Sequence, residues 1–204
     1  MNDFGTLAQE AVLAFARIGG EAARAAGPEE ALWCVTRCLP ALLGDPAAAL
    51  APNAFREQPP NSIGCAAAAF LRMPDGRHHL IAAPVNFPAE QHHELVDIRL
   101  GHPGEVAHSH HPLLLRDTTL VPSFVKILQA FRAGSSMFAP MMWQGRYLGV
   151  LICANAARRT FGERDLAVQT AFAALGAALF VAQGGPAWLE RLDTTGLPVR
   201  STGT

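Results

Sequence analysis

The chain has 204 residues, of which 50% are hydrophobic and 16% are charged, and its formal net charge is −1. This composition supports one domain with a large core and excludes an intrinsically disordered chain. A charge so close to zero gives no global electrostatic reason to expect nucleic acid or an anionic membrane surface as a partner.

The amino-terminal segment is not typical of an exported protein. It carries Asp3 and Glu10 without an early basic cluster, and no apolar run reaches the length of about 20 residues that a membrane span needs. We therefore expect a cytoplasmic protein whose four cysteines are reduced thiols.

Two helices are predicted at the start of the chain. The first covers residues 5–25, where apolar residues recur with helical spacing. Gly27 suits the end of that helix and Pro28 suits the first turn of the next one. We expect the second helix to run to about Gly44, and residues 51–63, which are rich in proline and polar residues, to form a surface loop.

Two hairpins are predicted in the rest of the chain. The first joins residues 65–73 to residues 78–85 through a Pro-Asp-Gly turn, which combines a preset φ with a flexible position. The second lies within residues 138–155 and turns at Gly145. Neither run of the second hairpin alternates between apolar and polar residues, so we expect both of its strands to be covered on both faces.

The remaining predicted elements are short, except for the last helix. They are a strand over residues 95–100, a short helix near Gly104, an extended segment over residues 112–117, a short helix over residues 122–132, and a helix from about Glu163 to Val181. Hairpins flanked by helices predict an α+β fold, with a central antiparallel sheet of about six strands and helices on both faces.

We expect three parts along the chain. A flanking helix covers residues 1–27, the main domain covers residues 28–183, and a flexible tail covers residues 184–204, with Trp188 and Leu189 as its anchors.

Two segments in this order resemble the GAF domain family, and the likeness covers about residues 28–183. Residues 135–155, SSMFAPMMWQGRYLGVLICAN, are similar to the paired central strands of the family. Residues 101–117, GHPGEVAHSHHPLLLRD, are similar to its glycine-started helix and the proline-led strand after it. The resemblance implies a GAF fold, which hosts many functions and does not by itself name a ligand.

A third segment echoes the asparagine–basic–phenylalanine–aspartate pattern of the cyclic-nucleotide-binding members of this family. The matching residues are Asn155, Arg158, Phe161 and Asp165. The basic residue is displaced, and Leu166 stands where those members carry a closing glutamate.

The resemblance also implies a ligand cavity between the sheet and the short helices. The candidate binding residues in this chain are Phe70, His102, Gly104, Val106, His108, Phe124, Ser135 and Ser136. The NH groups at the start of the helix near Gly104 are expected to favour an anion or a polar molecule. Ser136 and His108 are expected to hydrogen-bond that ligand.

The histidines do not predict a metal site. The adjacent pairs at positions 78–79 and 92–93 should point apart in regular structure, and the spacing within residues 108–111 does not bring three imidazoles together. Surface or loop positions are the preferred interpretation, although a metal or haem site stays open.

The cysteines do not predict a cofactor or a catalytic residue. Cys34, Cys65 and Cys153 are expected to be buried and poorly reactive. A relative of this fold that reduces free methionine sulfoxide uses cysteines around the glycine-started helix, whereas residues 101–117 contain none. Bilin-bearing members attach their pigment through a cysteine, often beside a histidine, and no Cys-His pair occurs here.

The expected function is therefore that of a bacterial sensory domain. It binds a small-molecule or anionic ligand, forms a homodimer through its first and last helices, and signals through a partner protein, without nucleic acid or a membrane. Two alternatives stay open: a small enzyme on the same fold, and a dimerisation module that binds no ligand.

Overall fold

The computed structural model describes residues 4–45, 47–48, 54 and 64–201. The predicted loop over residues 51–63 lies outside the described residues, apart from Ala54. The described part of the chain forms six helices: α1 (Phe4–Ala22), α2 (Pro28–Thr36), α3 (Leu39–Leu42), α4 (Gly101–Ser109), α5 (Glu163–Ala182) and α6 (Gly185–Arg191). It also forms seven strands: β1 (Cys65–Arg72), β2 (His78–Val85), β3 (Leu95–Asp97), β4 (Leu113–Leu115), β5 (Ser135–Trp143), β6 (Arg146–Asn155) and β7 (Val199–Arg200).

One sheet contains all seven strands, in the order β4-β5-β6-β1-β2-β3-β7. Neighbouring strands are antiparallel except β3 and β7, which are parallel. The predicted α+β architecture is confirmed, with one strand more than expected. Both predicted hairpins are confirmed too, and in the second one Gln144 (φ 48°) and Gly145 (φ 75°) take the left-handed conformation that a tight two-residue turn requires.

Helices α2, α3 and α5 pack on the first face of the sheet, and α1 and α6 pack on these helices. Fully buried Phe172 and Phe180 of α5 and Leu32 of α2 belong to the core of this face. Within the described residues one helix, α5, is long and apolar enough to cross a membrane. It packs along β5 and against α2, with Phe172, Ala177 and Phe180 among its buried residues.

The second face is covered by α4 and by the largely irregular residues 118–134, which we call the cover segment. The predicted helix over residues 122–132 is wrong, because no helix forms there. Two backbone groups of the cover segment instead hydrogen-bond the side chain of Gln91. Its amide donates to the carbonyl of Ile127 (2.9 Å) and accepts from the NH of Gln129 (2.8 Å). These two bonds hold the cover segment in an irregular path.

Three further features concern the ends of the helices and the last residues of the chain. The second helix stops at Thr36 because Pro40 lacks an NH and begins a separate short helix with Leu39. Helix α4 starts at Gly101, the first residue of the segment that resembles the glycine-started helix of the family. Residues 184–204, predicted as a flexible tail, contain α6 and the edge strand β7, with Leu189 buried and Trp188 packed against the core.

Candidate functional site

A cavity of about 50 Å³ lies between the second face of the sheet and the cover segment. Most of its lining is apolar and comes from β1, β5, β6, the start of α4 and the cover segment. The lining residues are Ala66, Phe70, Phe87, His102, Pro103, Phe124, Val125, Ile127, Leu128, Ala133, Ser136, Phe138, Ile152 and Ala154.

A larger groove of about 490 Å³ lies beside the edge strand β4. It is more open to solvent than the cavity, and its charged residues pair with one another. Arg116 contacts Glu163 at 3.1 Å, and Arg159 contacts Asp117 at 3.6 Å. The enclosed cavity is therefore the better candidate for a binding site, although the groove is larger.

Two polar side chains break the apolar lining of the cavity. Ser136 and His102 are 2% and 5% exposed as whole residues, and within the described residues neither the Ser136 hydroxyl nor the His102 ring makes a hydrogen bond. The His102 ring packs against the rings of Phe124 (5.8 Å between centroids) and Phe138 (5.9 Å). Because both polar groups border the cavity and are not used in hydrogen bonds within the described residues, they are available to a molecule bound there.

Burial lowers the pKa of His102, and the negative charge of Glu105 opposes that shift only in part. A lowered pKa favours the uncharged form of the imidazole at neutral pH. The site therefore offers a neutral imidazole and a hydroxyl, which can donate or accept hydrogen bonds but carry no charge.

Four of the eight predicted site residues line this cavity: Phe70, His102, Phe124 and Ser136. They come from three separate parts of the chain, which the antiparallel sheet and α4 bring together. We expected the glycine-started helix to face the serine pair across the cavity. His102 of that helix and Ser136 of that pair do line the same cavity.

The other four predicted residues lie outside the lining. Gly104 packs on the backbone of Arg99, and its NH donates to the carbonyl of Leu100, so it is not a free donor. Val106 is fully buried among apolar side chains under α4. His108 is exposed, because six helical residues place it on a different face of α4 from His102.

Ser135 is the fourth residue that does not reach the cavity. Successive residues of a strand point to opposite faces, so only Ser136 faces the cover segment. The Ser135 hydroxyl donates to the carbonyl of Ala157 at 2.8 Å and also contacts Thr160. Its role is to fix the turn after β6.

Several lining residues were not among the predicted ones. Phe138 lies two positions after Ser136 on the same strand, so strand alternation could have found it. Phe87 and Ala133 lie in irregular segments, where no periodic pattern marks which side chains point inward.

Asn155, Phe161 and Asp165 of the cyclic-nucleotide-like pattern have structural roles here. The amide of Asn155 donates to the carbonyl of Asp45 (3.0 Å) and accepts from the NH of Ala157 (2.8 Å). Phe161 is buried in the core, and Asp165 accepts a hydrogen bond from Gly162 at the start of α5 (2.8 Å).

None of the four cysteines lines the cavity. Cys65 and Cys153 are buried as predicted, but the burial predicted for Cys34 is wrong, because it is only partly covered on α2. Burial raises the pKa of the Cys65 and Cys38 thiols to about 11, so little thiolate forms at neutral pH.

One prediction about the histidines is wrong. The rings of His92 and His93 do not diverge: their centroids lie 4.0 Å apart, and both rings contact the carboxylate of Glu29. The cause is the left-handed backbone of His93 (φ 65°), which breaks the strand-like alternation assumed from the sequence.

Comparison with known proteins agrees with this architecture. A GAF domain from a phosphoenolpyruvate-protein phosphotransferase of Coxiella burnetii superposes with a TM-score of 0.70 at 20% identity, over 89% of this chain and 98% of that one. Free methionine-R-sulfoxide reductase from Neisseria meningitidis, solved in complex with its substrate, gives 0.65 at 15% identity, over 90% and 94%. At these identities the likeness shows the fold alone.

Among curated proteins, none matches the sequence. The family model described as GAF domain matches residues 57–179, which is more than half of the chain. The chain therefore belongs to the GAF domain family.

Proposed function

We propose that this protein is a sensory GAF domain that binds a small molecule in the cavity beneath the cover segment. The observation that supports the proposal most is that the Ser136 hydroxyl and the His102 ring line the same mostly apolar cavity and make no hydrogen bond within the described chain. A ligand that supplies this partner gains the hydrogen bonds and buries its apolar part at the same time.

The lining favours an uncharged ligand with an apolar body and one polar group. The sequence left a small molecule or an anion as the ligand, but the residues that line the cavity include neither lysine nor arginine, and the lowered pKa of His102 favours its uncharged form. Burying an unpaired charge in such surroundings is costly. The NH of Gly104, which was expected to face a ligand, already donates to the carbonyl of Leu100.

The size of the cavity links binding to a change of shape. A volume of about 50 Å³ holds only a few non-hydrogen atoms, so a larger ligand has to displace the cover segment. Because the Gln91 side chain holds this segment through two backbone contacts, its displacement is a discrete change. Ligand binding then selects the displaced arrangement, which a partner protein reads as the signal.

The first helix supplies the surface for a homodimer. Val12 and Leu13 on the outer side of α1 are 64% and 65% exposed, whereas Leu7 and Ile18 of the same helix are buried. Two copies that pair along α1 around a twofold axis bury these apolar side chains. The four free thiols fit a reducing compartment, so the cytoplasm is the proposed location.

Native mass spectrometry of the purified protein, followed by a thermal-shift screen of small metabolites, tests the proposed function. A sensor shows a co-purified molecule or a saturable rise in Tm, without conversion of the compound. Turnover of the compound would establish the enzyme alternative. A chain that forms dimers but is stabilised by no compound would support the dimerisation module instead.

A further inference from the structure

A cluster of metal-ligating side chains lies away from the cavity, at the start of α2. Glu29 is in the first turn of that helix, and His92 and His93 lie in the connection between β2 and β3. Nε2 of His92 is 2.8 Å from one carboxylate oxygen of Glu29, and Nε2 of His93 is 2.8 Å from the other. The three ligand atoms lie within 4.8 Å of one another.

We propose that Glu29, His92 and His93 bind a first-row divalent cation of the zinc type, through Nε2 of each imidazole and a carboxylate oxygen. Two imidazoles and one carboxylate form a donor set that suits zinc and its neighbours better than magnesium or calcium. This site is separate from the proposed ligand cavity, and its role is to fix α2 to the β2–β3 connection.

The distances are close to those of a three-ligand metal site. Zinc bonds of 2.0–2.2 Å place the ligand atoms of a tetrahedral site about 3.3 Å apart. The two contacts between imidazole nitrogen and carboxylate oxygen therefore have to open by about 0.5 Å, which side-chain rotation supplies. Each ring then carries its proton on Nδ1, which leaves Nε2 free to coordinate.

The backbone holds the ligands in place. His93 takes a left-handed conformation (φ 65°), which is uncommon for a residue with a side chain and is found disproportionately at functional sites. This conformation turns its ring towards the ring of His92. The NH of Ala83 donates to Glu29 Oε1 at 3.0 Å, and these contacts with His93, Ala83 and His92 lower the carboxyl pKa to about 2 although burial acts to raise it.

The site is also accessible and has natural reporters. The side chain of His92 is 41% exposed, compared with 17% for Glu29, so a cation and a water ligand can approach from the His92 side. Trp33 packs edge-on against His92 at 6.2 Å, and Trp188 lies 6.1 Å from His93. A bound Ni²⁺ or Cu²⁺ ion should quench these two tryptophans.

The test is calorimetric titration of Zn²⁺ into chelator-treated, untagged protein, with Ni²⁺ quenching of tryptophan fluorescence as a second readout. We expect one saturable site per chain and a rise in Tm with Zn²⁺. His93→Asn should weaken binding by at least about tenfold, since it removes a ligand while asparagine tolerates the left-handed backbone. Glu29→Gln and His92→Gln should also weaken it.

His110→Asn is the matched control, because His110 is also a left-handed histidine (φ 58°) beside another histidine, but stacks on Tyr147 on the other side of the sheet. It should leave Zn²⁺ affinity unchanged. If the His93→Asn variant does not fold, the Zn²⁺ affinity of His92→Gln decides between the outcomes. The side chain of His92 is the most exposed of the three ligands, so this substitution disturbs the fold least. No saturable binding below about 1 mM, or equal losses in His110→Asn, would overturn the proposal.

Discussion

The two faces of the sheet are built differently. On the first face, long regular helices pack their side chains into a continuous core in which Phe172 and Phe180 are fully buried. On the second face, one short helix and the irregular cover segment lie over the strands, and the cavity is found between them. His102 and Ser136 lie on this second face.

The difference has a physical cause. Regular helices satisfy their own backbone hydrogen bonds and present evenly spaced side chains, which fill the space above a sheet. The cover segment instead depends on Gln91 to satisfy part of its backbone, so its side chains do not follow a periodic pattern. Stability is therefore expected to reside mainly on the first face and ligand binding on the second.

The largest expected effect is on the first face. Phe172→Ala removes a fully buried ring that packs on Phe15 at 4.5 Å, and it should lower the free energy of unfolding by about 3–5 kcal/mol. Phe124→Ala is the matched variant on the second face. Because Phe124 is only partly buried and borders a cavity, it should cost clearly less. Urea denaturation measures the free energy of unfolding of both variants. Equal losses of that free energy would contradict the difference between the two faces.

The next effect concerns the contact that ties α2 to the sheet. The contacts of Glu29 with His93, Ala83 and His92 outweigh burial and hold its pKa at about 2, below the ordinary value of 4.5. This contribution to stability is fully present above about pH 4.5 and is lost as the pH falls through about 2.

Glu29→Ala should therefore lower the free energy of unfolding by about 1.5–3 kcal/mol at pH 7, and by less at pH 2. Glu30→Ala is the neighbouring control, because Glu30 is exposed and its carboxylate accepts a hydrogen bond from the exposed NH of Ala26. Thermal unfolding between pH 2 and pH 7 measures both variants. A constant difference between wild type and Glu29→Ala across that range would show that the ionised carboxylate does not stabilise the fold.

The sequence predicted the regular parts of the fold better than the irregular ones. The hairpin turns at residues 74–77 and at Gly145 could be read because their residue types have strong local preferences. The path of the cover segment could not be predicted from its own residues, because it depends on Gln91, which is distant along the chain. The pairing of His92 with His93 was missed for a related reason, since nothing in the sequence marks the left-handed backbone of His93.

The same reasoning explains the candidate site. Phe70, His102, Phe124 and Ser136 line the cavity, which agrees with the order of strands and helix that the resemblance implied, and their part in ligand binding stays a prediction. His108 was misplaced, since the sequence did not fix which face of the short helix α4 turns inward.

The smallest expected effect on stability lies on α1, outside both faces. Leu13→Glu should change the free energy of unfolding of the subunit by no more than about 0.5 kcal/mol, because the side chain is 65% exposed. It should nevertheless dissociate the proposed homodimer, since two buried carboxylates would face an apolar surface. Light scattering at several concentrations measures the mass. A wild-type protein that stays monomeric would contradict the dimer, as would a variant that stays dimeric.

The most direct test of the central claim is calorimetry with a compound from the thermal-shift screen, on wild type and on Ser136→Ala combined with His102→Phe. Phenylalanine preserves the ring packing of His102 but removes its nitrogens. The double variant should lose about 1–3 kcal/mol of binding free energy, from two hydrogen bonds, while the exposed control His108→Ala binds like wild type. Unchanged affinity in the double variant, or an equal loss in His108→Ala, would contradict a ligand site in this cavity.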